Sequence, residues 1–231
     1  MNIIHATGVE GAGRASGTVV VIDVLRAFTV SAYALAGGAK ECRLVRTVAQ
    51  ARALAAAMPG SVLSAEEDGL PVEGIPISNS PTAIHEMDMR DRVLIQRSSA
   101  GTQAVSAVDS DDVFIASLVV ARATAQACVA SDPASVTLVA SADHPEDHAC
   151  ARYIEGLIRA ETPDIEQLLE PLRASERYAD LISGSWPGCP PSDVELSLMA
   201  DRFDFAMPVS RGDGYLVVRP QRTANTSRAA S

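Results

Sequence analysis

Two charged side chains, Asp23 and Arg26, lie just after the most apolar short segment of the chain. Residues 18–22 are all apolar or β-branched, which is typical of a strand buried on both faces of a sheet. An aspartate directly after such a strand can bind a metal ion or attack phosphorus, and the neighbouring arginine can bind phosphate oxygens. The alternative interpretation is that Asp23 caps the helix that follows.

A run of small residues at 98–102, Ser-Ser-Ala-Gly-Thr, joins another predicted strand to a helix. The amides and hydroxyls of such a turn can bind a phosphate at the start of the helix. The run is not a Walker loop, because no Gly-Lys-Ser or Gly-Lys-Thr follows, and small residues also form ordinary turns. Taken together, the residue types make Ser98, Ser99, Gly101 and Thr102 candidate phosphate-binding residues.

Two acidic pairs also lie after predicted strands. Glu66-Glu67 directly follow the strand predicted over 61–65, and Glu146-Asp147 lie a few residues after the strand predicted over 136–140. Carboxylate oxygens are the ligands that Mg²⁺ prefers. For either pair alone, a solvated acidic patch or a helix N-terminus favoured by acidic residues is the better explanation of the pattern. The four histidines show no HExxH spacing, which argues against a histidine metal site.

Strands and helices alternate along most of the chain. Strands are predicted over residues 18–23, 41–45, 61–65, 92–97, 112–116, 136–140 and 215–219, and residues 161–205 are predicted to be mostly helical. This alternation predicts helices on both faces of a mainly parallel, possibly mixed sheet. We expect a single domain over residues 1–220 and a disordered polar tail over 221–231. Ligands bind at the carboxyl ends of such strands, where Asp23, Glu66, Ser98 and Asp147 would meet.

The composition excludes several classes of protein. The chain has 231 residues, 47% of them hydrophobic and 4% aromatic, with 19 basic and 29 acidic residues for a net charge of −10. This balance argues against a nucleic-acid partner. We expect no membrane span, because no apolar run approaches about 18 residues. The four scattered cysteines and the absence of a signal peptide favour a cytoplasmic location.

Several motifs, in order along the chain, resemble one known family. They are Val21-Ile22-Asp23-Val24-Leu25-Arg26-Ala27, Glu66 with Gly69 and Glu73-Gly74, Asn79-Ser80-Pro81, Ser98-Ser99-Ala100-Gly101-Thr102, Glu146-Asp147, and a closing segment with Asp193-Val194-Glu195, Asp201 and Pro208-Val209. This combination resembles the 2-phosphosulfolactate phosphatase family, Mg²⁺-dependent phosphatases associated with coenzyme M biosynthesis. The resemblance covers roughly residues 3–219.

The resemblance implies a three-layer α/β/α fold and hydrolysis of a small anionic phosphoester, a 2-phospho-hydroxy acid such as 2-phosphosulfolactate, to sulfolactate and phosphate. It implies catalytic roles for Asp23, Arg26 and Asp147 and a Mg²⁺ site formed by Asp23, Glu66 and Asp147. Substrate contacts would come from Ser98, Ser99, Gly101 and Thr102, with Asn79 and Ser80 in the pocket wall.

Three positions depart from the family's pattern: Ala65, Glu67 and Ala100 replace a glycine, an arginine and an asparagine. We expect Glu67 to weaken binding of a doubly anionic substrate. The alternatives are a family branch that acts on another phosphorylated hydroxy acid, a non-catalytic anion-binding relative, or a lyase or transferase with the same phosphate site. A homodimer is the default expectation for an enzyme of this size.

Overall fold

A computed structural model describes residues 1–222 of the chain. The strands are β1 (Asn2–Thr7), β2 (Thr18–Ile22), β3 (Glu41–Leu44), β4 (Val62–Glu67), β5 (Leu70–Pro71), β6 (Val93–Arg97), β7 (Val113–Ala116), β8 (Ser135–Ala140), β9 (Phe205–Arg211), β10 (Leu216–Val218) and β11 (Gln221–Arg222). The helices are α1 (Gly8–Gly13), α2 (Ala27–Ala36), α3 (Val48–Ala57), α4 (Pro81–His85), α5 (Gly101–Ala107), α6 (Ala121–Ala130), α7 (Pro145–Ile158), α8 (Ile165–Leu168), α9 (Glu170–Arg173), α10 (Glu176–Ile182) and α11 (Pro191–Ser197), with a 3₁₀ turn at Leu118–Val120.

The strands form one mixed sheet in the order β1-β8-β2-β7-β9-β10-β3-β6-β4-β5, with β11 paired to β9. Strands β1, β8, β2 and β7 are parallel, and so are β3, β6 and β4. The antiparallel strands β9 and β10 lie between these two parallel blocks. The mainly parallel, mixed α/β architecture predicted from the sequence is confirmed.

Helices cover both faces of the sheet, as the two-sided burial of β2 requires. Val19 and Val21 pack into a core with α1, α2 and α5. Val20 and Ile22 pack into a second core on the other face, with α6 and α7. Because successive side chains of a strand point to opposite faces, the continuous apolar run of β2 builds both cores.

Helix α2 is buried on all sides: every residue from Ala27 to Leu35 is buried. It contacts β7 of one parallel block and both β3 and β6 of the other. Strands β7, β9, β10 and β3 separate β2 from β6 in the sheet, yet the turn after β6 reaches Asp23 after β2. The sheet therefore curves around α2, and this curvature brings the ends of distant strands together.

Two helix starts have the side-chain hydrogen bonds that their local sequences favour. Thr47 and Gln50 form a reciprocal capping box at the start of α3, and Ser80 caps α4 with Pro81 as its first helical residue. The tail predicted over 221–231 needs a correction at its start, because Gln221 and Arg222 pair with β9. The rest of that tail lies outside the described residues.

Within residues 1–222, no helix has the length and apolar character needed to cross a membrane.

Candidate active site

A cavity of about 310 Å³ lies at the carboxyl ends of β2, β4, β6 and β8. Of the predicted site residues, those that line it are Asp23, Arg26, Glu66, Asn79, Ser98, Ser99 and Asp147. Ser80, Gly101 and Thr102 lie behind the wall and do not line it. The predicted strand-end residues thus come together as expected, although not all of them face the cavity.

Asp23 is held at the end of β2 by two backbone amides. Its Oδ1 accepts a hydrogen bond from the amide of Ala27 at 3.0 Å, and its Oδ2 accepts one from the amide of Gly101 at 3.0 Å. Burial, followed by the charge of Glu66, raises the pKa of Asp23 to about 6, although both amides favour the charged form. The side chain therefore titrates near neutral pH and can exist in either protonation state there.

Asp147 lies beside Asp23, in the first turn of α7. Its Oδ1 accepts a hydrogen bond from the amide of Val24 at 2.8 Å, and Ser141 Oγ donates to its Oδ2 at 3.0 Å. Burial, and then the charges of Asp23 and Glu146, hold the pKa of Asp147 well above its usual range. The pair Asp23 and Asp147 thus resembles other buried carboxylate pairs, in which like charges favour a proton on one member.

The turn at 98–102 binds carboxylates through its own amides. Ser99 donates to Glu66 from both its amide and its hydroxyl, and the amide of Gly69 donates to the same carboxylate at 2.6 Å. Gly101 donates to Asp23, as described above. The turn therefore fixes the two acidic side chains at the cavity, and it does so with amides of Ser99 and Gly101, residues predicted to contact phosphate.

Asn79, Ser98 and Thr102 hold the cavity wall in place through hydrogen bonds. Asn79 Nδ2 donates to the carbonyl of Arg97 at 2.9 Å, and Gln96 Nε2 donates to Asn79 Oδ1 at 2.7 Å. Thr102 and Ser98 exchange side-chain-to-backbone hydrogen bonds that close the turn. These contacts join β6 to the loop before α4 and keep the turn in place.

Arg26 is oriented by the C-terminal part of the chain. Its Nη1 donates to Asp193 Oδ2 at 2.8 Å and to the carbonyl of Gly188. Asp193 is fully buried and also accepts hydrogen bonds from Ser80 Oγ at 2.7 Å and from the Thr82 amide at 3.0 Å. Ser80 therefore acts on the site through Asp193 and Arg26.

Sequence reasoning did not select several side chains that line the cavity, among them His144, Arg177 and Trp186. Arg177 donates from Nε and Nη2 to Glu146 Oε1, at 3.0 and 2.9 Å. Burial, and then the charge of Arg177, lowers the pKa of His144. Arg177 and Trp186 both fall within residues 161–205, which are predicted to be mostly helical. Nothing in that pattern indicates that either side chain lines a cavity. Glu67, in contrast, is exposed and does not line the cavity, so its side chain is not placed to repel a bound substrate directly.

The predicted Mg²⁺ ligands do not converge on one point. Within residues 1–222, no three histidine, cysteine, aspartate or glutamate side chains are grouped so that they could hold one ion. Glu66 is already engaged with the turn. However, Asp23 and Asp147 are buried like charges, and Glu146 Oε2 is a buried acceptor with no donor among the described residues. This local shortage of positive charge fits a partly hydrated Mg²⁺ held by one or two carboxylates.

Comparison with known proteins gives a consistent set of similarities. A family model described as 2-phosphosulpholactate phosphatase matches residues 5–183. A probable 2-phosphosulfolactate phosphatase of Bacillus subtilis (strain 168) is 43% identical over 146 residues, 60% of this chain and 63% of the relative. Proteins with the same description from Carboxydothermus hydrogenoformans and Clostridium novyi are 34% identical over 152 residues and 30% identical over 158 residues, which cover 64% and 66% of this chain and 63% and 67% of those relatives. The chain thus spans about 63% of the length of the first two relatives.

Proposed function

The chain belongs to the 2-phosphosulpholactate phosphatase family, and on that premise we propose that it hydrolyses phosphate monoesters of 2-hydroxy acids. The observation that carries this proposal is the buried pair of Asp23, after β2, and Asp147, in the first turn of α7, with Arg26 in the same cavity. The products would be the free hydroxy acid and inorganic phosphate. For 2-phosphosulfolactate, the substrate in the relatives' names, the hydroxy acid would be sulfolactate.

Asp23 is the residue that we propose to act at phosphorus. As a carboxylate it can attack phosphorus directly or take a proton from an attacking water molecule. Direct attack gives an aspartyl-phosphate, which a water molecule then hydrolyses to release inorganic phosphate and restore Asp23, whereas attack by water gives phosphate in one step. In either route a new oxygen–phosphorus bond forms, the bond from phosphorus to the ester oxygen breaks, and the departing alkoxide takes up one proton. The two amides that hold Asp23 support this role, because they fix the attacking oxygen in position.

Asp147 is suited to supply that proton. Its raised pKa favours the protonated carboxyl group, and a positioned acid next to the leaving oxygen avoids formation of a free alkoxide. Arg26 would bind the phosphate oxygens through the donors that remain after its Nη1 contacts Asp193 and Gly188.

We also propose that Mg²⁺ binds here, with Asp23 and Asp147 as the residues that would hold it. When bound, the ion would neutralise negative charge on the phosphate oxygens. A cation at Asp147 would also lower the pKa of that residue. Phosphate release that requires Mg²⁺ would therefore favour Asp147 as a ligand, and release without Mg²⁺ would favour it as the acid.

The test is phosphate release from a panel of 2-phospho-acids, including 2-phosphosulfolactate and phospholactate, with Mg²⁺ and with a chelator. Asp23→Asn should abolish turnover and leave the folded state intact by circular dichroism. Asp132→Asn is the matched control, because Asp132 is exposed in the loop after α6 and does not line the cavity. Binding of the panel without phosphate release by the wild type would instead support a non-catalytic anion-binding relative.

The compartment and pathway are part of the same proposal. All four cysteines are unpaired and buried, which supports a reducing compartment such as the cytoplasm. The pathway that the resemblance implies is coenzyme M biosynthesis, and detection of sulfolactate as the product would support it.

A further inference from the structure

Positive charge is scarce in the cavity. Its charged lining consists of the carboxylates of Asp23, Glu66, Asp68 and Asp147 and the guanidinium groups of Arg26 and Arg177. A 2-phospho-acid carries a carboxylate in addition to the phosphate, and 2-phosphosulfolactate carries a sulfonate as well. Each of these groups needs a donor or a cation when it leaves water. We therefore expect Arg26 and Arg177 to bind different anionic groups of such a substrate.

The two arginines differ in how they are held. Arg26 is buried and is tied through Nη1 to Asp193 and Gly188. Arg177 is 22% exposed and uses Nε and Nη2 for Glu146 Oε1. Its Nη1 makes no hydrogen bond within residues 1–222. Glu146 thus fixes the plane of the guanidinium group and leaves one edge able to bind a planar or tetrahedral anion.

Arg177 lies beside an apolar part of the cavity wall. It lies on α10, and its guanidinium group lies over the ring of Trp186, 5.9 Å from the ring centroid. Trp186, Leu181 and Cys189 pack together and line the cavity as an apolar wall. Such a wall suits the carbon skeleton of a small acid, and a cation beside it suits the charged end of that skeleton.

We infer that Arg177 binds the second anionic group of the substrate, the carboxylate or the sulfonate, and so determines which phosphoesters the site accepts. This inference rests on the proposed phosphatase function. Glu146 acts through Arg177 as a positioning residue, because it orients the guanidinium group and does not itself line the cavity.

The test compares three substrates in the wild type and in Arg177→Gln. Phosphosulfolactate carries both anions, phospholactate carries only the carboxylate, and p-nitrophenyl phosphate carries neither. Loss of a charged hydrogen bond should raise KM by about 10- to 100-fold. A rise for both acids identifies the carboxylate as the bound group, and a rise for phosphosulfolactate alone identifies the sulfonate. An equal loss on p-nitrophenyl phosphate, or no loss on any substrate, would overturn the inference.

Three further variants control for folding. Arg177→Gln leaves the buried Glu146 unpaired, which can destabilise the protein. The double variant Arg177→Gln/Glu146→Gln removes both charges, and its KM should remain raised. Arg177→Lys keeps the charge and should recover part of the affinity. Arg173→Gln is the matched control, because Arg173 pairs with Glu166 on the surface and does not line the cavity.

Product binding separates this inference from the proposed function. Sulfolactate and lactate can be titrated into each protein by calorimetry, with no need for turnover. The wild type should bind at least one of them, and Arg177→Gln should bind it about tenfold or more weakly. This result would support the role of Arg177 even if no phosphoester in the panel were hydrolysed. Binding of equal strength in both proteins, or no binding by the wild type, would refute that role.

Discussion

Replacing Gly101 with alanine should displace the Asp23 carboxylate and reduce turnover. The amide of Gly101 donates to Asp23 Oδ2 at 3.0 Å. A Cβ atom at this position would lie 2.5 Å from Asp23 Oδ2 and 3.0 Å from Phe28 Cζ. The backbone of Gly101 is not in the left-handed region, so alanine strains the contact and not the backbone.

The size of the effect follows from these distances. Carbon and oxygen atoms rarely approach closer than about 3.3 Å, so the carboxylate has to move by roughly 0.8 Å. A displacement of about 1 Å in a reacting group can reduce the rate about 100-fold. We expect a fall of that order in kcat, which corresponds to about 2.7 kcal/mol. Alanine is favoured over glycine in a helix by about 0.5–1 kcal/mol, which partly offsets the strain in the folded state.

The assay is phosphate release from the best substrate of the panel, together with the melting temperature. Gly13→Ala is the matched control, because a Cβ atom there would meet only the Ala107 carbonyl oxygen, at 3.8 Å. It should leave kcat unchanged. If Gly101→Ala keeps kcat within about threefold of the wild type, the placement of Asp23 by this amide is not important for turnover and the reasoning is wrong.

The remaining predictions concern protonation and the buried ion pair. Because burial and neighbouring charges raise the pKa of Asp147, the folded state binds this proton more tightly than the unfolded chain and loses stability as the pH rises. Asp147→Asn cannot ionise at this position. Its melting temperature relative to that of the wild type should therefore be higher at about pH 8 than at about pH 5. An equal difference at the two pH values would contradict the raised pKa of Asp147. The value of kcat/KM should rise with pH through the pKa of Asp23, about 6, and a profile flat across that range would exclude Asp23 as the reacting carboxylate. Asp193→Ala should lower the free energy of unfolding in urea by about 3–5 kcal/mol, because the buried Arg26 loses its only carboxylate partner within residues 1–222 and keeps the carbonyl of Gly188 alone. Glu195→Ala, exposed on the same helix, should change it by less than about 0.5 kcal/mol, and similar losses in both would refute the importance of the pair.

The edge of the sheet that forms the cavity was predictable because strand ends carry local signals. The apolar run of β2 and the small residues after β6 were sufficient to select Asp23 and the turn at 98–102. The proline at the first turn of α4 and the Thr47 capping box likewise depend only on neighbouring residues. Local chemistry of this kind is readable from one sequence.

Contacts between distant segments were not predictable in the same way. Strand β9 begins where the predicted helical region ends, and no strand is predicted there, because Pro208 within it argues against a strand in the middle of a sheet. Its pairing with β7 involves only a short ladder at Phe114 and Ile115. Asp193 and Arg177 reach the cavity through tertiary packing of α11 and α10, and nothing in their local sequence indicates which buried partner they will meet.

The position of β9 and β10 has a consequence for the order in which the protein takes shape during synthesis. Within residues 1–222, these two strands supply the hydrogen-bonded connection between the two parallel blocks of the sheet. Both leave the ribosome after almost all other elements. Until then, the block that carries Asp23 and the block that carries Glu66 are separate ladders joined by α2 and loops. The hairpin of β9 and β10 therefore completes the sheet only after the strands of both parallel blocks have been made, and a truncation before residue 205 would remove the strands that connect its two halves.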